Sequence, residues 1–490
     1  MSAHANTTSH ALHRLDSDVH SKTHLNSSNK QFEINHGPPK ISADVQPQYT
    51  YLPHGEAGRN LSNGEDNDHV HVKEDPDEAR NVQGSSGNQN KTLLMLSLIL
   101  ATALGPSSMT SFVAAVPFIQ NEFGITATNA QYTISIGLLG MAVATLLYGP
   151  LSDRYGRRPV MLAGIGVAAF GCMLGAVANS IEMLIAARLL QSAGAISGMV
   201  ISRVVIYEFF GRAKAAALLG ALTAGMIVPP LFAPTVGGVL VDTIGWRSIF
   251  MVFGGLTMLV WGLVFLHLRE TNLTKTAHIK IKGVLRDYYT LLNNRHFVIC
   301  LTFITAAHSA YICFMAGAPF VAMRTFGLSA SVYGLLFTLV PAGYFLGSLF
   351  TARFGNSFGN ARLIASGATF SFCIYALGAV VLVAGIAPAP MFFMVMGFLA
   401  IGNGLSLPGG HSESVETSGA RAGSGAGLVG FTQTAFSAIA AQFVGAAQGS
   451  QLSPLPTVAA VFVLTAVAQI AAIAIAQNKG RLDVKHPVAF

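Results

Sequence analysis

Residues 149–159 read GPLSDRYGRRP, a polar turn with three arginines between two apolar runs. The flanking runs lie near 130–150 and 159–178. Each is about 20 residues long, the length that an α-helix needs to cross a hydrocarbon core roughly 30 Å thick. A short charged turn between two such runs indicates a pair of antiparallel membrane helices.

Apolar runs of this kind recur along most of the chain. Hydrophobic residues make up 52% of the 490 residues and charged residues only 10%, which is too little polar surface for a water-soluble fold. A closed membrane barrel would show short alternating segments instead. We therefore predict an all-α membrane protein with twelve transmembrane helices, spans 1 to 12. They lie near 93–117, 130–150, 159–178, 184–206, 214–236, 247–267, 297–320, 331–352, 363–383, 389–408, 422–446 and 454–476.

Lysine and arginine are distributed unevenly among the connecting loops. Seventeen of the 29 follow even-numbered spans or lie at the C-terminus, whereas the loops after odd-numbered spans hold only Arg247 and Arg324. Cytoplasmic loops carry the excess of basic residues in membrane proteins. We therefore expect a multi-pass protein of the inner or plasma membrane with both termini in the cytoplasm. The formal charge of +7 follows from this asymmetry and does not indicate a nucleic-acid partner.

The spans divide six and six around a long internal loop. We expect a disordered cytoplasmic tail at 1–92, six-helix bundles at 93–267 and 297–477, a central cytoplasmic loop at 268–296 and a cytoplasmic C-terminus at 478–490. Apolar side chains recur at helical spacing within the loop, which predicts a short helix on the membrane surface, with a plain connector as the alternative. They are Leu285, Tyr288, Tyr289 and Leu292.

The turn at 149–159 resembles the cytoplasmic loop signature of the major facilitator superfamily at nearly every defining position. Gly149 and Asp153 share a helix face, where the glycine permits close helix approach, and Gly156 allows the tight turn. The resemblance implies that Asp153 docks against the other bundle and holds the cytoplasmic gate closed. A weaker copy at 357–362 fits two pseudo-symmetric bundles. The predicted gating motif comprises Gly149, Asp153, Arg154, Gly156, Arg157 and Arg158.

Span 4 contains two arginines. Arg188 and Gln191 resemble the membrane-embedded arginine motif of the superfamily. A guanidinium without partners is costly in hydrocarbon, so we expect Arg188 to face the bundle interior, where it finds acceptors and lines the substrate cavity. We assign Arg203 a structural role, in which it pairs with Glu208 near the cytoplasmic end.

Span 5 is rich in glycine and proline and resembles the antiporter signature of drug exporters. Pro229 and Ala233 replace two glycines of that signature. Small residues and prolines predict a bent helix packed closely against the other half, and a purely structural bend is the alternative. The motif residues are Gly220, Gly225, Pro229, Pro234, Gly237 and Gly238.

Together these segments resemble the bicyclomycin- and chloramphenicol-resistance group of drug:proton antiporters with twelve spans. The resemblance implies export of small amphipathic compounds in exchange for protons, by alternating access to a central cavity. Thr110 stands where that group usually carries an aspartate in span 1. No Asp or Glu lies deep within any predicted span, so His308 is our candidate for proton coupling.

Two other functions are compatible with parts of this pattern. A proton-independent uniporter or importer of a small metabolite is favoured by Thr110, and a membrane receptor or membrane-embedded enzyme is the second alternative. The sequence has neither a phosphate-binding P-loop nor an H-E-x-x-H pair. We therefore predict no catalytic residues, no metal and no cofactor. The expected partners are a small-molecule substrate, protons and the lipid bilayer, and we expect a monomer.

Overall fold

The computed structural model describes residues 90–272, 281–385, 388–449 and 453–485. The predictions for the N-terminal tail, except for its last three residues, and for the last five residues of the chain lie outside this part. Within it, twelve helices are long and apolar enough to cross a membrane, which confirms the predicted number. They run over Lys91–Phe123, Ala127–Tyr155, Arg157–Ala176, Ile181–Phe210, Leu218–Thr243, Arg247–His267, Arg295–Thr325, Ala330–Gly355, Asn360–Val383, Ala389–Ser418, Ala422–Gln448 and Leu455–Gln477.

The helix ends follow local sequence signals. Thr126, Ser180 and Ser329 cap the starts of spans 2, 4 and 8, where each side-chain oxygen accepts a backbone N–H three residues later. We call the end of the bundle that holds the start of span 1 and the turn at Gly156 the terminal side. The opposite end, with the turn at Gly124, is the far side.

Several helices extend beyond their predicted apolar runs. Span 10 continues to Ser418 instead of ending near 408, and span 1 continues to Phe123. The extra turns are polar, and hydropathy marks the part of a helix inside hydrocarbon and not the part that projects beyond it. As a consequence His411 and Glu413 belong to span 10 and are not loop residues.

The two six-helix bundles repeat the same packing. Span 1 contacts spans 4, 5 and 6, and span 7 contacts spans 10, 11 and 12. Spans 2 and 3 both pack on span 4, as spans 8 and 9 pack on span 10, and the pair 3 and 6 corresponds to the pair 9 and 12. Each of these contacts in the first bundle thus has a counterpart six helices later. This is the pseudo-symmetry predicted from the sequence.

The bundles meet along two extensive contacts, span 2 with span 11 and span 5 with span 8. On the far side one apolar core includes residues of both bundles, among them Phe112, Phe250, Phe314 and Phe393. On the terminal side each bundle has its own core. The bundles are therefore joined at the far side and have separate cores at the terminal side.

A short helix, Ile281–Leu292, lies between the bundles in sequence, where a surface helix was predicted. We call it the connecting helix. Its Leu291 is buried, while Leu285 and Tyr289 are largely exposed. The Asp287 carboxylate accepts hydrogen bonds from Arg421, at 3.2 Å, and from Ser424. The helix is therefore attached to the start of span 11, in the second bundle.

Candidate functional site

The turn at 149–159 lies in a polar network on the terminal side. The Arg157 side chain is 9% exposed and donates to Ser152 Oγ at 2.7 Å and to the Asp153 carboxylate. Its Nη2 also donates to Glu208 Oε1, at the end of span 4, at 2.9 Å. Arg157 therefore joins the ends of spans 2, 3 and 4. Charge-assisted bonds of this kind are stronger than neutral ones.

The segment after span 6 completes the network. The Glu270 carboxylate accepts the backbone N–H groups of Arg157, at 2.8 Å, and of Arg158, at 3.2 Å. These N–H groups start span 3 and have no partner within that helix, so the carboxylate satisfies them and complements the helix dipole. Asn272 Nδ2 donates to the Asp153 carbonyl at 2.9 Å. The turn is thereby fixed to the chain that leaves the first bundle.

Gly156 is required at this turn for two reasons. Its φ is +105°, a conformation that side chains with a Cβ rarely adopt. A Cβ at this position would also overlap the Glu270 carboxylate. The predicted tight turn is therefore present, and Gly359, with φ of +76°, occupies the corresponding turn between spans 8 and 9.

Two details of the predicted gating motif differ from expectation. A Cβ on Gly149 would meet nothing within 4 Å, so this glycine is not in a close helix contact. The described contact of the Asp153 carboxylate is with Arg157, in its own bundle. Docking of Asp153 against the second bundle remains a prediction. Arg154 stacks on Tyr155, 5.2 Å from the ring centre, and Arg158 donates to the Phe265 carbonyl at 2.9 Å.

Arg188 is buried, as predicted, and is only 1% exposed. Its Nη1 donates to Gln191 Oε1 at 2.5 Å, and its guanidinium lies 4.1 Å from the centre of the Phe112 ring. Its Nε is 3.4 Å from the Thr133 carbonyl. Among the described residues, Nη2 has no hydrogen-bond partner and no carboxylate pairs with this arginine. Within the described part of the chain this buried positive charge therefore has no counter-ion, which is a costly arrangement.

The small residues of span 5 produce close packing at the far side. A Cβ on Gly237 would overlap the Ser111 carbonyl of span 1, and one on Gly238 would overlap the Ala330 carbonyl of span 8. A Cβ on Gly334, in span 8, would overlap the Pro234 carbonyl. Spans 5 and 8 thus meet backbone against backbone, which only glycine permits. Gly225 packs on Ile99 of span 1, whereas Gly220 has open space around it, contrary to expectation.

Hydrogen bonds between the bundles reinforce this far-side contact. The Asp242 carboxylate, at the end of span 5, accepts the backbone N–H groups of Ala330, at 3.2 Å, and of Ser331, at 2.7 Å. Asp242 therefore caps the first turn of span 8 from the other bundle. Arg324 Nη2 also donates to Gln120 Oε1 of span 1 at 2.6 Å. We call these contacts, together with those of Gly238 and Gly334, the far-side seal.

The two residues considered for proton coupling have different surroundings. Thr110 is 7% exposed and donates back to the Pro106 and Ser107 carbonyls of its own helix, at 3.1 and 3.2 Å. Its hydroxyl is thus satisfied within span 1. His308 Nδ1 lies 3.0 Å from Ser437 Oγ of span 11. His308 therefore packs between two helices of the second bundle.

Sequence reasoning missed a buried acid. Glu413 of span 10 is 4% exposed, and its Oε1 lies 3.1 Å from His296 Nε2 at the start of span 7. The prediction ended span 10 too early to include it. The predicted pair of Arg203 with Glu208 is replaced by another, since Glu208 binds Arg157 and accepts from the Thr271 hydroxyl.

Arg203 and His411 are exposed, although each lies about two turns inside its helix. An apolar groove of about 590 Å³ lies between spans 3 and 6, next to Phe170 and Trp261.

The sequence profile described as Major Facilitator Superfamily matches residues 98–321. The chain is 28% identical over 398 residues to an uncharacterized MFS-type transporter, YdgK, of Bacillus subtilis, which covers 80% of this chain and 96% of that protein. It is 29% identical to multidrug resistance protein D of Escherichia coli, over 54% of this chain and 66% of that protein. It is 31% identical to a chloramphenicol resistance protein of Pseudomonas aeruginosa, over 54% of this chain and 61% of that protein. The chain thus matches less than two thirds of the two resistance proteins.

Two solved structures share the fold. A bacterial homologue of the human lysosomal transporter Spinster, in an inward-facing and unoccupied conformation, superimposes with a TM-score of 0.63 at 16% identity, over 79% of this chain and 97% of that one. A D-xylose–proton symporter gives a TM-score of 0.62 at 15% identity, over 78% of this chain and 97% of that one. These values support a common architecture of two six-helix bundles.

Proposed function

We propose that the chain is a member of the major facilitator superfamily, whose sequence profile matches residues 98–321, and that it is a secondary active transporter that exports small amphipathic compounds by proton antiport. The relatives named for multidrug and chloramphenicol resistance support this choice of substrate class. Transport proceeds by alternating access to a cavity between the two bundles. The protein acts as a monomer in the lipid bilayer.

One observation carries the proposal: the bundles share a core at the far side and have separate cores at the terminal side. A transporter that alternates needs one closed and one separable side, and packed interfaces switch between discrete arrangements. The excess of basic loop residues favours a cytoplasmic terminal side. In this proposal the structure is the inward-facing state, and the far-side seal is the closed outer gate.

The polar network around Arg157 is the inner gate element in this proposal. It keeps spans 2, 3 and 4 together as one rigid unit, while Asp153 at its edge is about half exposed and free to meet the second bundle when the terminal side closes. Asp153 thus exchanges partners during the cycle.

Counterflow in proteoliposomes tests the function directly. Purified full-length protein is reconstituted with unlabelled chloramphenicol inside, and uptake of radiolabelled chloramphenicol is measured. We expect accumulation above that of protein-free vesicles, and an acid interior should drive further net uptake by exchange. A compound panel extends the test if chloramphenicol is not carried. Absence of counterflow for every compound would contradict the transport function.

A proton-independent uniporter or importer is the second candidate. The Thr110 hydroxyl donates to carbonyls of its own helix, and span 1 offers no group that titrates near neutral pH. Both facts favour this candidate. The two candidates differ in one measurement. An antiporter moves protons when substrate is added to vesicles that contain a pH-sensitive dye, whereas a uniporter does not.

A further inference from the structure

One helix outside the membrane spans has an apolar face that no described residue covers. The connecting helix, Ile281–Leu292, is followed by a turn of two residues and then by span 7, which begins at Arg295. Asn294 in this turn accepts the backbone N–H groups of His296 and Phe297, at 3.0 and 3.3 Å, and so caps span 7. The connecting helix therefore lies at the level where span 7 enters the membrane on the terminal side.

Contacts with the second bundle fix the rotation of the connecting helix about its own axis. The Asp287 carboxylate accepts hydrogen bonds from Arg421, at 3.2 Å, and from Ser424 Oγ, at 3.0 Å. Leu291 is buried in the terminal-side core of the second bundle, and Tyr288 packs against that core. The face that carries Leu291 and Tyr288 is therefore turned towards spans 7 and 11.

A second apolar face adjoins this buried face. In a regular helix the apolar side chains of this segment cover an arc of about 160°, and the bundle covers only part of it. The rest is formed by three side chains that are between 49% and 70% exposed, Leu285, Tyr289 and Leu292. Arg286 and Thr290, on the polar arc, are exposed as well. At this level the bilayer interface is the apolar medium that can cover the remaining face.

Basic side chains border the exposed apolar face. Arg286 follows Leu285 on the polar side, and Arg295 is the first residue of span 7. Both arginines are exposed, and neither forms an ion pair with a described residue. Arg421 is paired with Asp287, so these three arginines and one aspartate have an excess of positive charge. A guanidinium presents several donors in a plane, which matches the oxygens of a phosphate group.

We propose that the exposed apolar face of the connecting helix is inserted in the interface of the terminal-side leaflet, and that Arg286 and Arg295 bind headgroups of anionic phospholipids there. Amphipathic helices of this kind insert their apolar face about 5–10 Å into the boundary between headgroups and acyl chains. Tyr289 lies at the edge between the apolar and the polar arc, which suits an aromatic ring with a hydroxyl group. The lipid contact fixes the second bundle to the leaflet. This inference concerns lipid binding and does not depend on which compound the protein carries.

Fluorescence quenching by lipids tests the insertion. Leu285→Cys is labelled with bimane in the full-length protein with Cys373→Ser, because Cys373 is exposed and the other three cysteines are buried. The protein is reconstituted in phosphatidylcholine nanodiscs that contain a lipid with a nitroxide near the headgroup end of its acyl chain. This lipid should quench the label at least about twofold more than a lipid with the nitroxide at the far end of the chain, as a shallow position requires. Thr290→Cys is the matched control, since Thr290 is exposed on the polar arc of the same helix and its label should be quenched little.

Lipids of different charge test the headgroup contact. Phosphatidylglycerol and phosphatidylcholine with the same nitroxide are compared at residue 285, at the same low mole fraction in phosphatidylcholine nanodiscs. The anionic lipid should quench at least about threefold more, because each arginine near a membrane surface favours anionic headgroups several-fold. The double variant Arg286→Gln/Arg295→Gln should lose most of this preference. Arg362→Gln should keep it, since Arg362 is exposed at the start of span 9, which makes no extensive contact with the connecting helix.

Three results would overturn the proposal. Equal quenching at residues 285 and 290 would show that the apolar face is not inserted in the bilayer. A label at residue 285 that is shielded from iodide in water, yet is not quenched by the lipids, would indicate a protein occupant such as a second copy of the chain. Equal quenching by the two headgroups, or a preference that survives in the double glutamine variant, would exclude the contact of the two arginines with anionic headgroups.

Discussion

Replacing Gly156 with alanine tests the polar network on the terminal side. Gly156 has φ of +105° and ψ of 154°, a region that is essentially restricted to glycine. Forcing a residue with a Cβ into such a region costs about 1–3 kcal/mol. The new methyl group would also overlap the Glu270 carboxylate, which accepts the backbone N–H groups of Arg157 and Arg158. Loss of these bonds costs about 1–3 kcal/mol more.

Together the two effects amount to roughly 2–6 kcal/mol, and we expect Gly156→Ala to lower the Tm in detergent by several degrees. Gly149→Ala is the matched control, since a Cβ there meets open space. In a helix this change should be neutral or stabilising by up to about 1 kcal/mol. Thermal unfolding followed by intrinsic fluorescence measures both. If the two variants unfold at the same temperature as wild type, the Glu270 contact does not hold the turn.

Four further perturbations test the gates and the buried groups. Asp153→Asn should preserve membrane abundance but slow counterflow several-fold, and wild-type rates would exclude a gating role. Arg188→Ala should nearly abolish transport while Arg188→Lys keeps part of it, because lysine lacks the planar fork; normal transport by the alanine variant would be incompatible with this role. Asp242→Ala removes a cap worth about 1 kcal/mol, so amide hydrogen exchange at the start of span 8 should accelerate about fivefold. If protons are exchanged, His308→Ala should reduce substrate-driven proton movement. Undiminished proton movement would show that a group other than His308 couples protons to transport.

The sequence predicts the spans because hydropathy measures the property that the bilayer selects, the transfer of about 20 residues into hydrocarbon. It predicts helix ends less well, because the last turns of span 10 are polar and project beyond the hydrocarbon. Because of that error the prediction did not include Glu413, whose Oε1 lies 3.1 Å from Nε2 of His296, more than one hundred residues away in the chain.

The local part of the candidate site was predictable and the distant part was not. The turn at Gly156 follows from its own residues, but its partner Glu270 is joined to it only by tertiary packing. The expected pairing of Arg203 with Glu208 failed for the same reason, since Arg157 approaches Glu208 from span 3. Open space at Gly149 and Gly220 likewise depends on where other helices lie.

The attachment points of the loop between the bundles set the length of a tether. Asn272 is held at the turn of the first bundle, and the connecting helix, which begins at Ile281, is held on span 11 through Asp287. Nine peptide units join residues 272 and 281, and a fully extended chain of that length reaches roughly 30 Å. The extended length of this segment therefore sets an upper limit to the separation of its two attachment points when the bundles rock apart on the terminal side. Separation beyond that distance would have to break a hydrogen bond at one of its two ends.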